Sequence, residues 1–126
     1  MWTWRQSTGE LRRNGITVAR GYSGRDWGKN NPRAEAAPRI GPIPSGRWRM
    51  TGLYHSSNVG PCTIRLEALD GRPGDDRHEP TGRSAFRIHG DSIARPGTAS
   101  HGCIILGRAM RQGMWDSGDH ELEVVA

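Results

Sequence analysis

Two residues that could do covalent chemistry together, His89 and Cys103, stand fourteen positions apart. His89 lies in Phe86-Arg87-Ile88-His89-Gly90-Asp91, and Cys103 in Ser100-His101-Gly102-Cys103-Ile104-Ile105-Leu106, with a Pro/Gly loop between them. A thiol is a good acyl-transfer nucleophile only as its thiolate, so it needs an imidazole or a positive dipole close by. The spacing is too long for one element and suits two adjoining elements joined by a loop. His89, at a strand end, can then accept the thiol proton. A short helix starting after Cys103 would favour the thiolate through its N-terminus. Gly102 lets the backbone approach a substrate carbonyl, and the N–H groups of Gly102 and Cys103 could receive the oxyanion. The second cysteine, Cys62 in Gly60-Pro61-Cys62-Thr63-Ile64, enters an apolar stretch and reads as a buried structural thiol.

The elements that must position this pair are short and mostly strands. Residues 2–6 and 10–13 bracket Ser7-Thr8-Gly9 as a hairpin, and residues 16–20 continue as a strand after the Asn14-Gly15 turn. Residues 21–46 are turn-rich and too long for a plain connection, which marks a functional loop or a lid. Residues 47–53 alternate around Trp48 and Met50, and 64–69 alternate Ile64, Leu66 and Ala68 against Arg65 and Glu67; both read as strands. Residues 71–82 read as a polar loop with two prolines, and Asp75-Asp76-Arg77-His78-Glu79 as solvated. Residues 85–89 form a short strand, 104–114 hold one short helix, and 122–125 close the chain as a strand. The expected fold is mainly β, a small single-domain sandwich or barrel with one or two short helices.

Composition agrees and narrows the function classes. In 126 residues there are 18 glycines and 8 prolines with only 33% hydrophobic residues, which disfavours a long helical bundle. No run approaches the roughly 18 apolar residues of a membrane span, so no membrane insertion is expected. Met1-Trp2-Thr3-Trp4-Arg5-Gln6 lacks a basic stretch followed by an apolar one, so no Sec-type signal is read there. The net charge is +5, carried by arginine rather than by the single lysine, Lys29. Arginine suits carboxylate and phosphate partners. Here, however, the arginines are scattered from Arg5 to Arg111 and do not interleave with aromatics, so no nucleic-acid partner is assigned. An anionic polymer such as a bacterial cell wall fits the same charge.

The histidine-glycine pair followed by Ser-x-Gly-Cys-Ile resembles the signature of the L,D-transpeptidase catalytic domain, the YkuD-like fold. Gly21-Tyr22-Ser23-Gly24, Lys29-Asn30-Asn31-Pro32, Gly41-Pro42-Ile43-Pro44-Ser45-Gly46, Phe86-Arg87-Ile88-His89-Gly90-Asp91-Ser92 and the closing Leu122-Glu123-Val124-Val125 are similar to the branch found among type VI secretion effectors. The resemblance covers nearly the whole chain. It implies a β domain with a cleft over Cys103 and, as substrate, the peptide stem of peptidoglycan. Cys103 would attack the carbonyl of the third stem residue and expel terminal D-alanine, with His89 as the base. Water as acceptor gives L,D-carboxypeptidase cleavage, a free D-amino acid gives exchange, and a second stem gives a cross-link. The resemblance also implies a secretion apparatus, a cognate immunity protein and action in the periplasm of a target cell after synthesis in the bacterial cytoplasm.

Around this pair, Gly102, Ser100, His101, Gly90 and Asp91 are expected to line the site. Many family members carry arginine directly after Gly-Cys-Ile, where this chain has Ile105; Arg87 or Arg108 is the expected replacement for binding a stem carboxylate. Tyr22 and Ser23 are weaker substrate-binding candidates. The group orienting His89 is left among Asp91, Ser92, Ser100 and a backbone carbonyl. No cofactor and no metal are expected: a zinc site of His89, His101 and Cys103 with His78 or His55 matches no common ligand spacing. A Cys62–Cys103 disulfide would abolish the nucleophile, and nothing in the sequence brings the two together. The five tryptophans read as core rather than as a sugar cleft. The competing function is a non-catalytic basic module that binds wall or nucleic acid.

Overall fold

In a computed structural model, which describes residues 1–71 and 74–126, the chain is mainly β. Strands β1 (Trp2–Arg5) and β2 (Glu10–Arg13) form the first hairpin, with Trp2, Trp4 and Leu11 buried. Gly9 closes its turn at φ 70, and a Cβ there would strike the Gly21 carbonyl, so only glycine fits. Asn14 and Gly15, at φ 53 and 80, turn the chain into β3 (Ile16–Arg20), as an Asn-Gly hairpin turn requires. Strand β4 (Tyr22–Ser23) follows, and two short 3-10 turns occupy Asp26–Gly28 and Pro32–Ala34.

The long pair β5 (Gly46–Ser56) and β6 (Gly60–Ala68) is the backbone of the sheet. Trp48 and Met50 on one strand and Ile64, Leu66 and Ala68 on the other supply the core face, as their alternation predicts. Both strands outrun the expected ranges, because residues 54–56 and 60–63 extend the ladder beyond the apolar alternation. Strands β7 (Arg77–His78) and β8 (Arg83–Ser84) pair separately, and β9 (Arg87–His89) enters the main sheet. Ala85, at φ 64, breaks what reads as one strand over 85–89, so only residues 87–89 pair. The expected solvated loop at 75–79 holds β7, and His78 is buried and stacked on Trp48 at 5.5 Å. Arg72 and Pro73 of the expected polar loop lie outside the described residues.

Strand β10 (Ile104–Ile105), helix α1 (Arg108–Asp116) and β11 (Glu121–Val125) complete the chain. The main sheet is nine-stranded and mixed, in the order β3-β2-β1-β11-β5-β6-β9-β10-β4. The first and last strands meet, β11 lying parallel to β1 and antiparallel to β5. Trp4, Leu11, Ile43, Trp48, Ile64, Ile88, Ile104, Met114 and Leu122 belong to one buried cluster. Trp2, Trp4 and Trp48 take the expected core places, whereas Trp27 is 65% exposed. Among the described residues no helix is long and apolar enough to cross a membrane.

Candidate active site

Strands β9 and β10 run parallel, with Ile104 opposite Ile88 and Ile105 opposite His89. Ile88 and Ile104 are fully buried in the core. Period-two alternation therefore sends His89 and Ile105 to the other face, together with Arg87. Cys103 sits one residue before β10, two positions back from the partner of His89. At a rise of about 3.3 Å per residue and an interstrand spacing near 4.8 Å, the two backbones stand roughly 8 Å apart. His89 does end a strand, as the sequence predicts. The helix expected directly after Cys103 does not: residues 104–105 are strand and α1 begins at Arg108. The apolar Ile104-Ile105 pair is better buried in the sheet than on a helix end, and the dipole expected to act on the thiol is thereby withdrawn from it.

A buried hydrogen-bond clamp shapes the turn that carries Cys103. Ser100 Oγ donates to the Cys103 carbonyl (2.6 Å) and accepts from the Gly24 and Gly102 amides (2.8 and 3.1 Å). Ser23 Oγ donates to the Gly102 carbonyl and accepts from the Ile43 amide, both at 2.8 Å. Both serines are 0% exposed, so Ser100 does not line the site and Ser23 does not reach substrate; both hold the turn. The Gly102 N–H, expected to bind an oxyanion, is spent on Ser100, which leaves the Cys103 amide as the candidate of that pair. Gly102 itself, at φ 139, packs against Arg83 and Phe86 where any Cβ would collide.

Cys103 opens into a cavity of about 360 Å³ lined by Pro38, Arg39, Arg83, Phe86, His101 and Gly102, among others. Its thiol donates to the Ala85 carbonyl at 3.7 Å. Burial pushes the thiol pKa up, the Arg87 amide and the Arg87 and Arg83 guanidiniums pull it back, and Asp76 adds to the rise. The net direction is upward, so the resting thiol is protonated at neutral pH. Cys103 and Cys62 are both free, and Cys62 is buried as expected.

His89 is buried, and its Nδ1 is 2.8 Å from the Gly90 carbonyl. A carbonyl only accepts, so Nδ1 carries the proton and the neutral ring presents Nε2 as its basic atom. Burial, followed by the nearby Arg111 cation, holds the imidazole pKa below its ordinary value, while the Gly90 bond and Asp91 oppose this. Among the candidates for orienting His89, the backbone carbonyl is the one in place. Among the described residues no hydrogen bond links the His89 ring to the Cys103 thiol. His89 lines a recess of about 400 Å³ with Val59, Asp91, Ser92, Thr98 and Ala99.

Asp91 and Tyr22 act as a brace for the loop between the two residues. The Tyr22 hydroxyl donates to Asp91 Oδ1 (2.6 Å) and accepts from the Ala99 amide (2.9 Å), while Asp91 also accepts from the Ser92 and Gly97 amides. Burial and the Asp91 carboxylate push the Tyr22 phenol up to about 12. The expectation that Tyr22 contacts substrate is thus replaced by a positioning role. Neither expected carboxylate-binding arginine is available at Cys103. Arg87 is taken by Asp76 (3.0 Å) and Tyr54 (3.0 Å). Arg108 lines a different cavity of about 510 Å³, with Gly90 and Asp91. His101 does line the Cys103 cavity, its Nε2 accepting from Arg25 at 3.1 Å.

Arg83 is the residue that sequence reasoning missed. Its guanidinium donates to the carbonyls of Glu35 (2.6 Å), Pro42 (2.7 Å), Gly41 (3.0 Å) and His101 (3.1 Å), and its Cζ lies 5.0 Å from the Phe86 ring centre. It fastens the 35–42 loop to the cysteine turn. Nothing local separates it from sixteen other arginines. Arg111 does similar work for the Leu106, Pro61 and Cys62 carbonyls, so part of the arginine excess is structural. No cluster of three or more His, Cys, Asp or Glu suited to a metal occurs among the described residues.

No curated protein sequence matches the chain. The family model described as the Tlde1 domain matches residues 17–125, which takes in every strand from β4 onward together with His89 and Cys103. The chain belongs to the Tlde1 domain family of type VI secretion effectors.

Proposed function

We propose that the protein is a cysteine-dependent acyl-transfer enzyme acting on peptidoglycan stem peptides. The observation that carries this reading is the parallel pairing of β9 with β10, which sets Cys103 one residue before the strand that lies beside His89, with His89 Nε2 left as the basic atom. Membership of the effector family supports the setting: delivery by a secretion machine, action in the periplasm of a target cell, and a cognate immunity protein.

Both reacting groups are uncharged at neutral pH, so the proton leaves sulfur as the S–C bond forms and not before. The thiol proton passes to His89 Nε2 while sulfur bonds the carbonyl carbon of the third stem residue. On collapse the C–N bond to D-alanine breaks, and the imidazolium proton goes to the departing amine. Water, a free D-amino acid or the amine of a second stem then attacks the thioester and regenerates the thiol. The Cys103 amide supplies a donor for the oxyanion. Arg83 stabilises negative charge on the sulfur.

Mass spectrometry of purified tetrapeptide muropeptides tests the reading, with intact protein and Cys103→Ala, each with and without D-methionine. Loss of D-alanine, or its replacement by D-methionine, only with the intact cysteine is the expected result. No change from a folded, reduced protein would overturn it, and salt-sensitive nucleic-acid binding unaffected by Cys103→Ala would favour a binding module.

A further inference from the structure

Two arginines line the Cys103 cavity, and they differ in one respect. The Arg83 guanidinium is spent on four backbone carbonyls. The Arg39 side chain makes no hydrogen bond and no ion pair among the described residues, and the residue is exposed on the cavity wall. Its segment is nevertheless well held. The Arg25 amide donates to the Ile40 carbonyl (2.9 Å), the Gly41 amide to the Ala37 carbonyl (3.0 Å), and Arg83 grips the carbonyls of Gly41 and Pro42. Arg39 itself takes φ 62, a left-handed conformation that glycine adopts freely and an L side chain resists. A braced loop thus presents an uncompensated cation to the space in front of the nucleophile, at a position where glycine would be conformationally easier.

We propose that Arg39 is the carboxylate-binding, specificity-determining residue of the Cys103 cavity, taking a carboxylate of the acyl donor beside the carbonyl that Cys103 attacks. A guanidinium matches a carboxylate through two parallel hydrogen bonds. The assignment rests on the reading of Cys103 as an acyl-transfer nucleophile and deepens it by naming the charge of the donor. Arg87 and Arg108 are excluded from this role, the first by its Asp76 and Tyr54 bonds and the second by its place in another cavity.

The test uses a readout that needs no turnover. Alkylation of Cys103 by anionic iodoacetate and by neutral iodoacetamide is followed by peptide-resolved mass spectrometry in the intact chain, Arg39→Gly and Arg39→Lys. The iodoacetate-to-iodoacetamide rate ratio should fall about threefold to tenfold in Arg39→Gly and hold largely in Arg39→Lys. Glycine relieves the backbone at this position, so the melting temperature should hold or rise and misfolding cannot explain the loss. An unchanged ratio in a folded Arg39→Gly would overturn the proposal. A second arm compares stem tetrapeptides with free and amidated carboxylates. The intact enzyme should prefer the free acid, and Arg39→Gly should lose that preference through KM with kcat largely kept. If the intact protein turns over no stem peptide while the alkylation ratio still shifts, the peptidoglycan reading fails and the carboxylate site stands. If turnover is present and Arg39→Gly alters neither KM nor ratio, the reading stands and Arg39 has no such role.

Discussion

Removing the Ser100 hydroxyl isolates the clamp from the chemistry. Ser100→Ala leaves two buried amides, Gly24 and Gly102, and the Cys103 carbonyl without their partner. Each unsatisfied buried group costs about 1–3 kcal/mol, and partial relaxation of the turn recovers some of this. A net loss of about 3 kcal/mol is expected, a large share of the roughly 5–15 kcal/mol that holds a small domain together. For a chain of this size that lowers the melting temperature by about 12 °C. Chemical denaturation read by tryptophan fluorescence gives the free energy, since Trp4 and Trp48 are buried. The same variant should lose the proposed turnover, because the carbonyl it frees belongs to Cys103, the proposed nucleophile. A loss under about 1 kcal/mol together with full turnover would refute the reasoning and return Ser100 to the role of a cavity-lining residue.

Three further outcomes follow from the same geometry. Gly102→Ala drives a Cβ into Arg83 and Phe86 and forces alanine to φ 139; it should cost about 2–4 kcal/mol and displace Cys103, measured by denaturation and by alkylation rate. Arg83→Leu strands four carbonyls and removes a cation that lowers the Cys103 pKa; stability should fall by about 3 kcal/mol and the thiol should titrate higher still, so alkylation slows at fixed pH. His89 and His78 both have folded pKa values held below the ordinary 6.5, chiefly by burial. Their contribution to stability is complete above pH 6.5 and is lost as pH falls through 6.5 toward the folded values, where the unfolded chain binds the protons more readily. Glu10, held down at about 2 by its bonds to Thr17 and Thr8, adds a second loss between pH 4.5 and 2. A melting temperature that rises on acidification from pH 7 to 5 would contradict the two histidine assignments.

Much of the fold is legible in local pattern. The Asn14-Gly15 turn, the alternation of Trp48 with Met50 and of Ile64 with Leu66, and the terminal strand at 121–125 all depend on side-chain periodicity and turn chemistry within a few residues. The break at Ala85 and the strand at 104–105 are not legible in this way. A left-handed alanine is imposed by the β8–β9 junction, and Ile104-Ile105 take strand geometry because β4 and β9 offer ladders on both sides. Local propensity contains neither partner.

The amino-acid sequence by itself determined the chemistry available to this protein. One thiol sits in a Ser-His-Gly turn and one histidine-glycine pair lies a loop away, because a candidate nucleophile and a candidate base are set by residue type and short-range spacing. Tertiary structure decided what the surrounding residues do. Ser100, Ser23 and Tyr22 look like site residues in one dimension, yet they spend their hydroxyls on the Asp91 carboxylate and on backbone groups 76–79 positions away or within the same turn. Arg87 is neutralised by Asp76, while Arg39 has no ion-pair partner among the described residues on the cavity wall. Hydrogen-bond saturation and charge pairing between distant segments settle those roles. Such pairings arise only when the sheet brings the segments together.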